Sequence, residues 1–184
     1  MQNNIRRATA VAITFFLLHT LSEGAETAWK DETGKLAENT EYRKAKNGFG
    51  GWLVVTPDAD WKQKWETSPE TVPRFTTTNT VERGKELYIL LFFTNPKVSQ
   101  SGEANVSCDI QTIRPDGSLS VDQKNIPCLR GKLEGDPNWI RLGPAIIKFV
   151  AEPKDLAGKW SVHVTLNDNL RHVVLQLKTS FTLK

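Results

Sequence analysis

Residues 87–93 read Leu-Tyr-Ile-Leu-Leu-Phe-Phe, and this run decides the fold. A strand with one solvated face alternates apolar and polar residues, whereas this run is apolar at both parities. It therefore predicts a central β-strand that is covered on both of its faces. Turn residues at 82–84 precede the strand, and Pro96 ends it.

The segments around this strand carry the alternation of half-buried strands. Apolar and polar residues alternate in residues 104–112, in residues 159–166 and, for about a dozen residues, in 173–183. A short β-branched run at 52–56 suits a first strand. About eight or nine short strands separated by regular turns predict an all-β protein, an antiparallel β-sandwich.

One short helix interrupts the strands. Thr56 suits an N-cap, and Pro57 suits the first helical position. Trp61 and Trp65 then lie four residues apart on the same helix face. Two alternatives stay open: the pair is exposed and binds a partner or a sugar, or it packs the helix onto the sandwich. Trp52, Trp139 and Trp160 are expected in the core.

Residues 155–162, Asp-Leu-Ala-Gly-Lys-Trp-Ser-Val, resemble the entry to the penultimate strand of immunoglobulin-like domains. Trp160 takes the place of the aromatic residue. The spacing from acid to aromatic is one residue longer than in antibodies, and Val162 stands where antibodies have cysteine. The resemblance covers residues 75–184 and implies an immunoglobulin-like sandwich of a fibronectin type III or macroglobulin-type variant. It implies no function, because such sandwiches host unrelated activities.

Residues 1–24 have the pattern of a cleaved signal peptide. Arg6 and Arg7 precede an uncharged run of about 14 residues, which is short of the roughly 20 that a membrane-spanning helix needs. Small residues follow at the predicted cleavage site. We therefore expect a periplasmic or secreted protein without a membrane span after cleavage.

Cleavage leaves a polar leader at 25–50 and a single β-sandwich domain at 51–184. Leu36 and Tyr42 are candidates to hold the leader against the domain. Cleavage also removes two arginines and one glutamate from a chain of formal charge +3, which leaves +2. The remaining lysines and arginines are dispersed along the sequence, so nucleic acid is not expected as a partner.

The chain contains two cysteines, Cys108 and Cys128, and in an oxidising compartment they predict a disulfide. The bridge would close a loop of about 20 residues and stabilise the fold by roughly 3 kcal/mol. Counting back from the turn at 115–118 places Cys108 opposite Asn125. The returning strand must therefore bulge or bend before Pro127 for the bridge to form.

No sequence motif of a hydrolase nucleophile, a zinc protease or a phosphate-binding loop is present, so we predict that the protein is not an enzyme and needs no cofactor. His163 and His172 fall on outward positions of one predicted hairpin, where they would be diagonal neighbours. Two surface histidines without a third ligand bind metal weakly, and we predict no metal site.

These observations predict an exported β-sandwich that binds another envelope or secreted protein in the bacterial periplasm or at the cell surface. An inhibitor, an immunity protein and an accessory subunit all fit this description. The alternative is a carbohydrate-binding module that stacks sugars on Trp61 and Trp65. A third alternative is an enzyme whose active site is assembled from residues far apart in the sequence.

Overall fold

The computed structural model describes residues 29, 35, 37–67 and 73–184, and two β-sheets dominate this part of the chain. Sheet I contains β1 (Arg43–Lys46), β2 (Phe49–Thr56), β4 (Glu86–Thr94), β7 (Arg141–Leu142) and β8 (Ile147–Val150). Sheet II contains β3 (Thr80–Val81), β5 (Glu103–Ile113), β6 (Leu119–Lys132), β9 (Gly158–Asp168) and β10 (Val173–Leu183). The predicted signal peptide at 1–24 lies outside the described residues.

The strand order is β1-β2-β4-β7 in sheet I, with β8 also pairing with β4, and β3-β10-β9-β5-β6 in sheet II. Among these strands, every pairing is antiparallel except that of the two-residue strand β3, which runs parallel to β10. The sheets pack face to face around one apolar core. The predicted fold class, an all-β sandwich with one short helix, is confirmed.

Strand β4 is covered on both faces, as its apolar run predicts. Leu87, Ile89, Leu91 and Phe93 lie in the core between the sheets, whereas Leu90 and Phe92 belong to a second cluster on the outer face of sheet I. The sheets approach closely at Gly51. A Cβ there would lie 3.0 Å from side-chain atoms of two sheet II leucines, Leu166 and Leu177.

The turn that resembles an immunoglobulin-like domain leads into β9, the penultimate strand. Trp160 is buried, and its indole N–H donates to the Leu156 carbonyl at 2.9 Å. Its ring stacks on that of Phe181 with a centroid distance of 6.3 Å. Val162, the position where antibodies have cysteine, is fully buried. Trp160 is therefore a core residue, as predicted.

A buried ion pair ties one end of sheet II to sheet I. The Oδ2 atom of Asp168 accepts from the backbone N–H of Lys97 at 2.7 Å and from Nε of Arg171 at 3.3 Å. The Arg171 guanidinium also donates to the carbonyls of Asn47 at 2.7 Å and Asn95 at 3.0 Å. Asn47 lies between β1 and β2, and Asn95 follows β4. We call this ion pair the polar clamp. It connects the β9–β10 hairpin of sheet II to the β1–β2 turn and to the end of β4 in sheet I.

The disulfide joins neighbouring strands of sheet II. Cys108 in β5 and Cys128 in β6 are both buried, with their Cα atoms 6.1 Å apart. Ile110 pairs with Gln123, the register expected from the turn, whereas Cys108 pairs with Ile126. The pairing shifts between these two positions and again between Val106 and Ser107, so the predicted bulging of the returning strand is present.

The polar segment at 25–50 contains strand structure that its composition did not predict. Strand β1 lies within it, and Phe49 at the start of β2 is fully buried. Trp29 is also buried, and its indole N–H donates to the Lys44 carbonyl at 3.1 Å. Tyr42 stays 45% exposed, and Leu36 lies outside the described residues. The division into a leader and one domain stays a prediction.

The helix, α1 (Trp61–Trp65), begins later than predicted. Thr56 remains paired in β2 opposite Tyr88, and its hydroxyl accepts from the Asp58 backbone N–H at 3.0 Å. The chain therefore completes a turn before the helix can start, and Asp60 becomes the N-cap residue. No helix among the described residues is long and apolar enough to cross a membrane.

We predict that Asp168→Asn lowers the free energy of unfolding by about 3 kcal/mol. Asparagine would replace one carboxylate oxygen by an NH2 group, which would face either the Lys97 backbone N–H and Arg171 Nε or the Arg171 backbone N–H as donor against donor. Urea unfolding of the purified protein measures the loss. Asp122→Asn is the control, since Asp122 is exposed on β6, and its effect should stay within about 0.5 kcal/mol. Equal effects of the two changes would contradict a stabilising clamp.

We also predict that the protein, purified without reductant, takes up no iodoacetamide until it is reduced, because Cys108 and Cys128 are bonded. Intact mass spectrometry under non-reducing conditions measures the labelling, and two labels on the folded, unreduced protein would show this prediction to be wrong. Reduction should lower the free energy of unfolding by roughly 3 kcal/mol, the entropy of the loop it opens.

Candidate functional site

The outer face of sheet I carries a layer of aromatic side chains that points away from sheet II. We call this set the outer aromatic layer; its members are Trp29, Trp52, Trp61, Trp65, Phe75, Tyr88 and Phe92. Phe92 lies at its centre. The ring centroids nearest to it are those of Trp65 at 5.3 Å, Phe75 at 5.7 Å and Trp52 at 6.1 Å.

Strand pairing places part of this layer in one row across sheet I. Arg43 in β1 pairs with Trp52 in β2, Trp52 pairs with Phe92 in β4, and Phe92 pairs with Leu142 in β7. Directly paired residues project to the same face of a sheet. The row therefore runs from a cation at one edge, across two aromatic rings, to an aliphatic side chain at the other.

The two helical tryptophans pack onto this row and its neighbours. Trp61 contacts Tyr88 with a centroid distance of 6.2 Å, and Trp65 contacts Phe92. Both indoles are half-buried. The geometry thus matches the alternative in which the pair holds the helix against the sandwich. A binding role for Trp61 and Trp65 stays a prediction.

A cavity of ≈ 190 Å³ opens in the outer aromatic layer and is the candidate binding site. We call it the aromatic pocket; its lining residues are Trp52, Val54, Trp65, Pro73, Phe75, Thr77, Phe92 and Ile140. None of these side chains is charged, and Thr77 alone carries a hydroxyl. An apolar cavity of roughly 150 Å³ holds a benzene molecule, so this pocket has room for one bulky apolar side chain or a similar group.

Beside the pocket, the loop at 134–141 presents an exposed tryptophan. Trp139 is 63% exposed and Ile140, which lines the pocket, is 48% exposed. The prediction that Trp139 belongs to the core is wrong. Its apolar neighbours in sequence suggested burial, but the loop turns them outward before β7 begins at Arg141.

The loop is held by hydrogen bonds to the Arg141 guanidinium. Its two terminal nitrogens donate to the backbone carbonyls of Glu134, Asp136, Pro137 and Trp139 at 2.8–3.2 Å. Burial lowers the pKa of Arg141, and Asp136 opposes that shift. Thr94 in β4 donates to the Asn138 carbonyl at 2.7 Å. The exposed Trp139 therefore stands on a loop that is fixed from below.

Gly135 also shapes this loop. Its φ of 74° lies in the left-handed region, and a Cβ there would collide with the six-membered ring of Trp139. The indole therefore lies directly against the glycine. This contact sets the direction in which Trp139 faces solvent.

The two histidines are not neighbours. His163 pairs with Lys178 in the middle of the β9–β10 ladder, whereas His172 lies in the turn before β10, six residues away and thus roughly 20 Å along the strand. The prediction that the two histidines are diagonal neighbours is wrong, because β9 extends to Asp168 and the turn therefore comes later than assumed. Burial, followed by Lys178, lowers the pKa of His163. Among the described residues, no group of three or more His, Cys, Asp or Glu is placed to hold a metal ion.

Neither a family model nor a curated protein matches this sequence. Among solved structures, the fold is similar to a family 123 glycoside hydrolase from Clostridium perfringens, at 12% identity and a TM-score of 0.40 over 73% of this chain and 27% of the hydrolase. It is similar to the alkylpurine DNA glycosylase AlkC from Pseudomonas fluorescens, at 11% identity and a TM-score of 0.36 over 58% of this chain and 28% of the glycosylase.

A third similar structure is an immunoglobulin-like protein from Pseudomonas aeruginosa, at 16% identity and a TM-score of 0.29 over 61% of this chain and 83% of that protein. The chain spans just over a quarter of the length of the two enzymes. These likenesses concern the fold alone. The specific fibronectin type III or macroglobulin-type assignment stays a prediction.

The prediction that the protein is not an enzyme is withdrawn. Two of the solved structures that its fold resembles are enzymes, a glycoside hydrolase and a DNA glycosylase. Their TM-scores do not establish this chain as an enzyme. The prediction relied on the lack of short catalytic motifs, and this lack does not exclude an active site built from residues that are distant in the sequence.

Several residues of the outer aromatic layer carried no signal in the sequence. Phe75 lies in a threonine-rich run, of which only Thr80 and Val81 form a strand, β3. Trp29 lies in the polar leader. The one available signal was that the outward-facing residues of β4, such as Leu90 and Phe92, are apolar. Other segments of the chain must therefore pack over them.

We predict that Gly135→Ala moves the Trp139 ring from its position on the loop. The change also forces alanine into the left-handed region, at a cost of about 1 kcal/mol. Gly117→Ala is the matched control, because Gly117 has a φ of 85° and a Cβ added there would meet no heavy atom within 4 Å. Two-dimensional NMR of the indole N–H groups measures the effect, with Trp139→Phe assigning the peak. An unmoved Trp139 peak in Gly135→Ala would contradict the contact.

Proposed function

We propose that this protein binds another protein, and that the aromatic pocket takes one bulky apolar side chain from it. The observation that carries the proposal is a pocket whose described lining residues carry no charge and include four aromatic side chains, with exposed Ile140 in the lining and exposed Trp139 next to it in sequence. Interface hot spots combine these features: a desolvated pocket for an anchor side chain and rigid aromatic groups around it. The Arg141-supported loop holds Trp139 in place before any partner arrives, which reduces the entropy lost on binding.

A protein partner fits the pocket better than a sugar does. Sugar rings stack on aromatic side chains, but their hydroxyl groups also need several hydrogen-bonding groups nearby. Among the described lining residues, only Thr77, Trp52 and Trp65 have a side-chain group that can form a hydrogen bond. In addition, Trp61 and Trp65 use their rings against Tyr88 and Phe92 and do not form a flat exposed platform. Carbohydrate binding is therefore the second candidate.

We propose further that the partner is an envelope or secreted protein met in the bacterial periplasm or at the cell surface. The disulfide between Cys108 and Cys128 supports this location, since such bonds persist in oxidising compartments. The turn at Asp155 and buried Trp160 support an immunoglobulin-like version of the sandwich. Inhibitor, immunity protein and accessory subunit remain the candidate roles.

Filling the pocket should abolish binding. We predict that Thr77→Phe prevents recovery of the partner in a pull-down from an envelope extract, because the new ring occupies the cavity. Thr76→Phe adds the same ring at the preceding residue, which is exposed and does not line the pocket. This control should recover the partner as the wild type does.

Equal recovery by both variants would place the interface elsewhere and contradict the proposed site. A glycan array run with the same proteins separates the second candidate. Saturable glycan binding that Thr77→Phe abolishes, without any captured protein, would assign the pocket to carbohydrate instead.

A further inference from the structure

Arg43 lies at the edge of the row that forms the aromatic pocket, and among the described residues its charge has no ion-pair partner. We infer that the partner protein carries a carboxylate beside the apolar side chain that enters the pocket, and that Arg43 binds this carboxylate. The inference rests on the proposed function, because it adds a polar anchor to the same site. It assigns the partner's segment a chemistry: a bulky apolar residue flanked by aspartate or glutamate.

The first observation is the missing acceptor. In the part of the chain that the structure describes, the Arg43 guanidinium takes part in no side-chain hydrogen bond and no ion pair, and its Nε atom is buried. An arginine carries five N–H donors and cannot lose its charge. A buried donor without an acceptor is costly, and native proteins rarely leave one unmatched. The two terminal nitrogens of Arg43 are not buried and have no acceptor among the described residues, so they are the donors that a ligand can reach.

The second observation is that Arg43 is held in position. Its backbone N–H donates to the Thr40 hydroxyl at 3.0 Å, and its carbonyl accepts from the Thr40 N–H at 2.7 Å. Its Cζ atom lies 6.0 Å from the ring centroid of Trp52, which lines the pocket. A guanidinium over an indole is stabilised by the ring and loses little freedom when it binds a ligand.

The third observation is that three other cations of this face, Lys148, Lys64 and Arg141, are already engaged. Lys148 lies over Tyr88 and pairs with Glu86 at 2.8 Å, and Lys64 on the helix pairs with Asp58 at 2.8 Å. Arg141 donates to the carbonyls of its loop. Arg74, between two lining residues, has a side chain in water and needs no protein acceptor. Among the described cations of this face, Arg43 alone combines a partly buried side chain, contact with an aromatic ring and guanidinium N–H groups without a described acceptor.

The sign of the charge determines the ligand. A cationic group would enter a pocket whose described lining includes no acidic residue and would meet Arg43 beside Trp52, so aromatic recognition of a cation is disfavoured here. A carboxylate meets the guanidinium with two parallel hydrogen bonds, which fixes both distance and orientation. Acidic groups next to the anchor residue are therefore favoured and basic groups are disfavoured.

Three end-blocked pentapeptides test the inference: Ser-Glu-Phe-Glu-Ser, Ser-Gln-Phe-Gln-Ser and Ser-Lys-Phe-Lys-Ser. Titration into the full folded protein, followed by NMR of the Trp52 and Trp65 indole N–H groups, gives their affinities. We expect the acidic peptide to bind about tenfold or more tightly than the glutamine peptide, as charge-assisted hydrogen bonds allow, and the lysine peptide to bind weakest. The preference should shrink as salt rises from about 50 mM to 500 mM.

Variants attribute the preference to Arg43. In Arg43→Gln the acidic and glutamine peptides should bind equally. Arg43→Lys should keep part of the preference, because lysine retains the positive charge but cannot form two parallel hydrogen bonds with a carboxylate. Arg130→Gln, at an exposed position on β6, removes the same charge far from sheet I and should leave the preference intact. The amide spectra of all variants show whether the fold is preserved.

The outcomes separate the two proposals. Equal binding of all three peptides at the indoles would overturn the role of Arg43 and leave the pocket as a protein-binding site. No indole shift with any peptide would overturn the pocket itself, and the proposed function with it. Binding of phenylacetate as tightly as the acidic peptide would assign the site to a small carboxylic acid and overturn the protein segment.

Discussion

Strand β4 has two apolar faces, and both must be removed from water. Sheet II covers the inner face with a regular, close-packed core. In the part of the chain that the structure describes, nothing as regular covers the outer face; Trp29, the helix α1 and the segment around Phe75 pack on it instead. These pieces come from different parts of the chain and meet only on Phe92 and its neighbours. A cover made of separate pieces leaves a gap, and that gap is the aromatic pocket.

The two sides of sheet I consequently serve different purposes. On the inner side, the polar clamp of Asp168 and Arg171 and the close approach at Gly51 hold the sheets in one arrangement. On the outer side, Arg43 has donors without a partner among the described residues, and Trp139 stays exposed. Sequences depart from good packing and full hydrogen bonding mainly where a function requires it. The departures here cluster around one cavity, which is why the cavity and not the fold supports the proposed function.

Much of the fold could be predicted because its signals are local. The double apolar face of β4 and the inward position of Trp160 depend on residues two positions apart, the period of a strand. The bulge before Cys128 followed from counting residues around one turn. The helix start failed by a few residues because Thr56 is held by pairing with Tyr88, a contact between strands that the local capping pattern does not include.

The sequence by itself determined most of the longer strands, the central place of β4, the disulfide and the presence of one short helix. Only the tertiary structure decided that Trp29 is buried and Trp139 exposed, that the histidines lie apart, that β3 runs parallel to β10, and that Arg43 stands beside an uncharged pocket. The reason is physical: the alternation of apolar and polar residues along a strand predicts which face of the sheet each side chain occupies. What covers that face depends on segments distant in the chain, whose contacts no local period encodes.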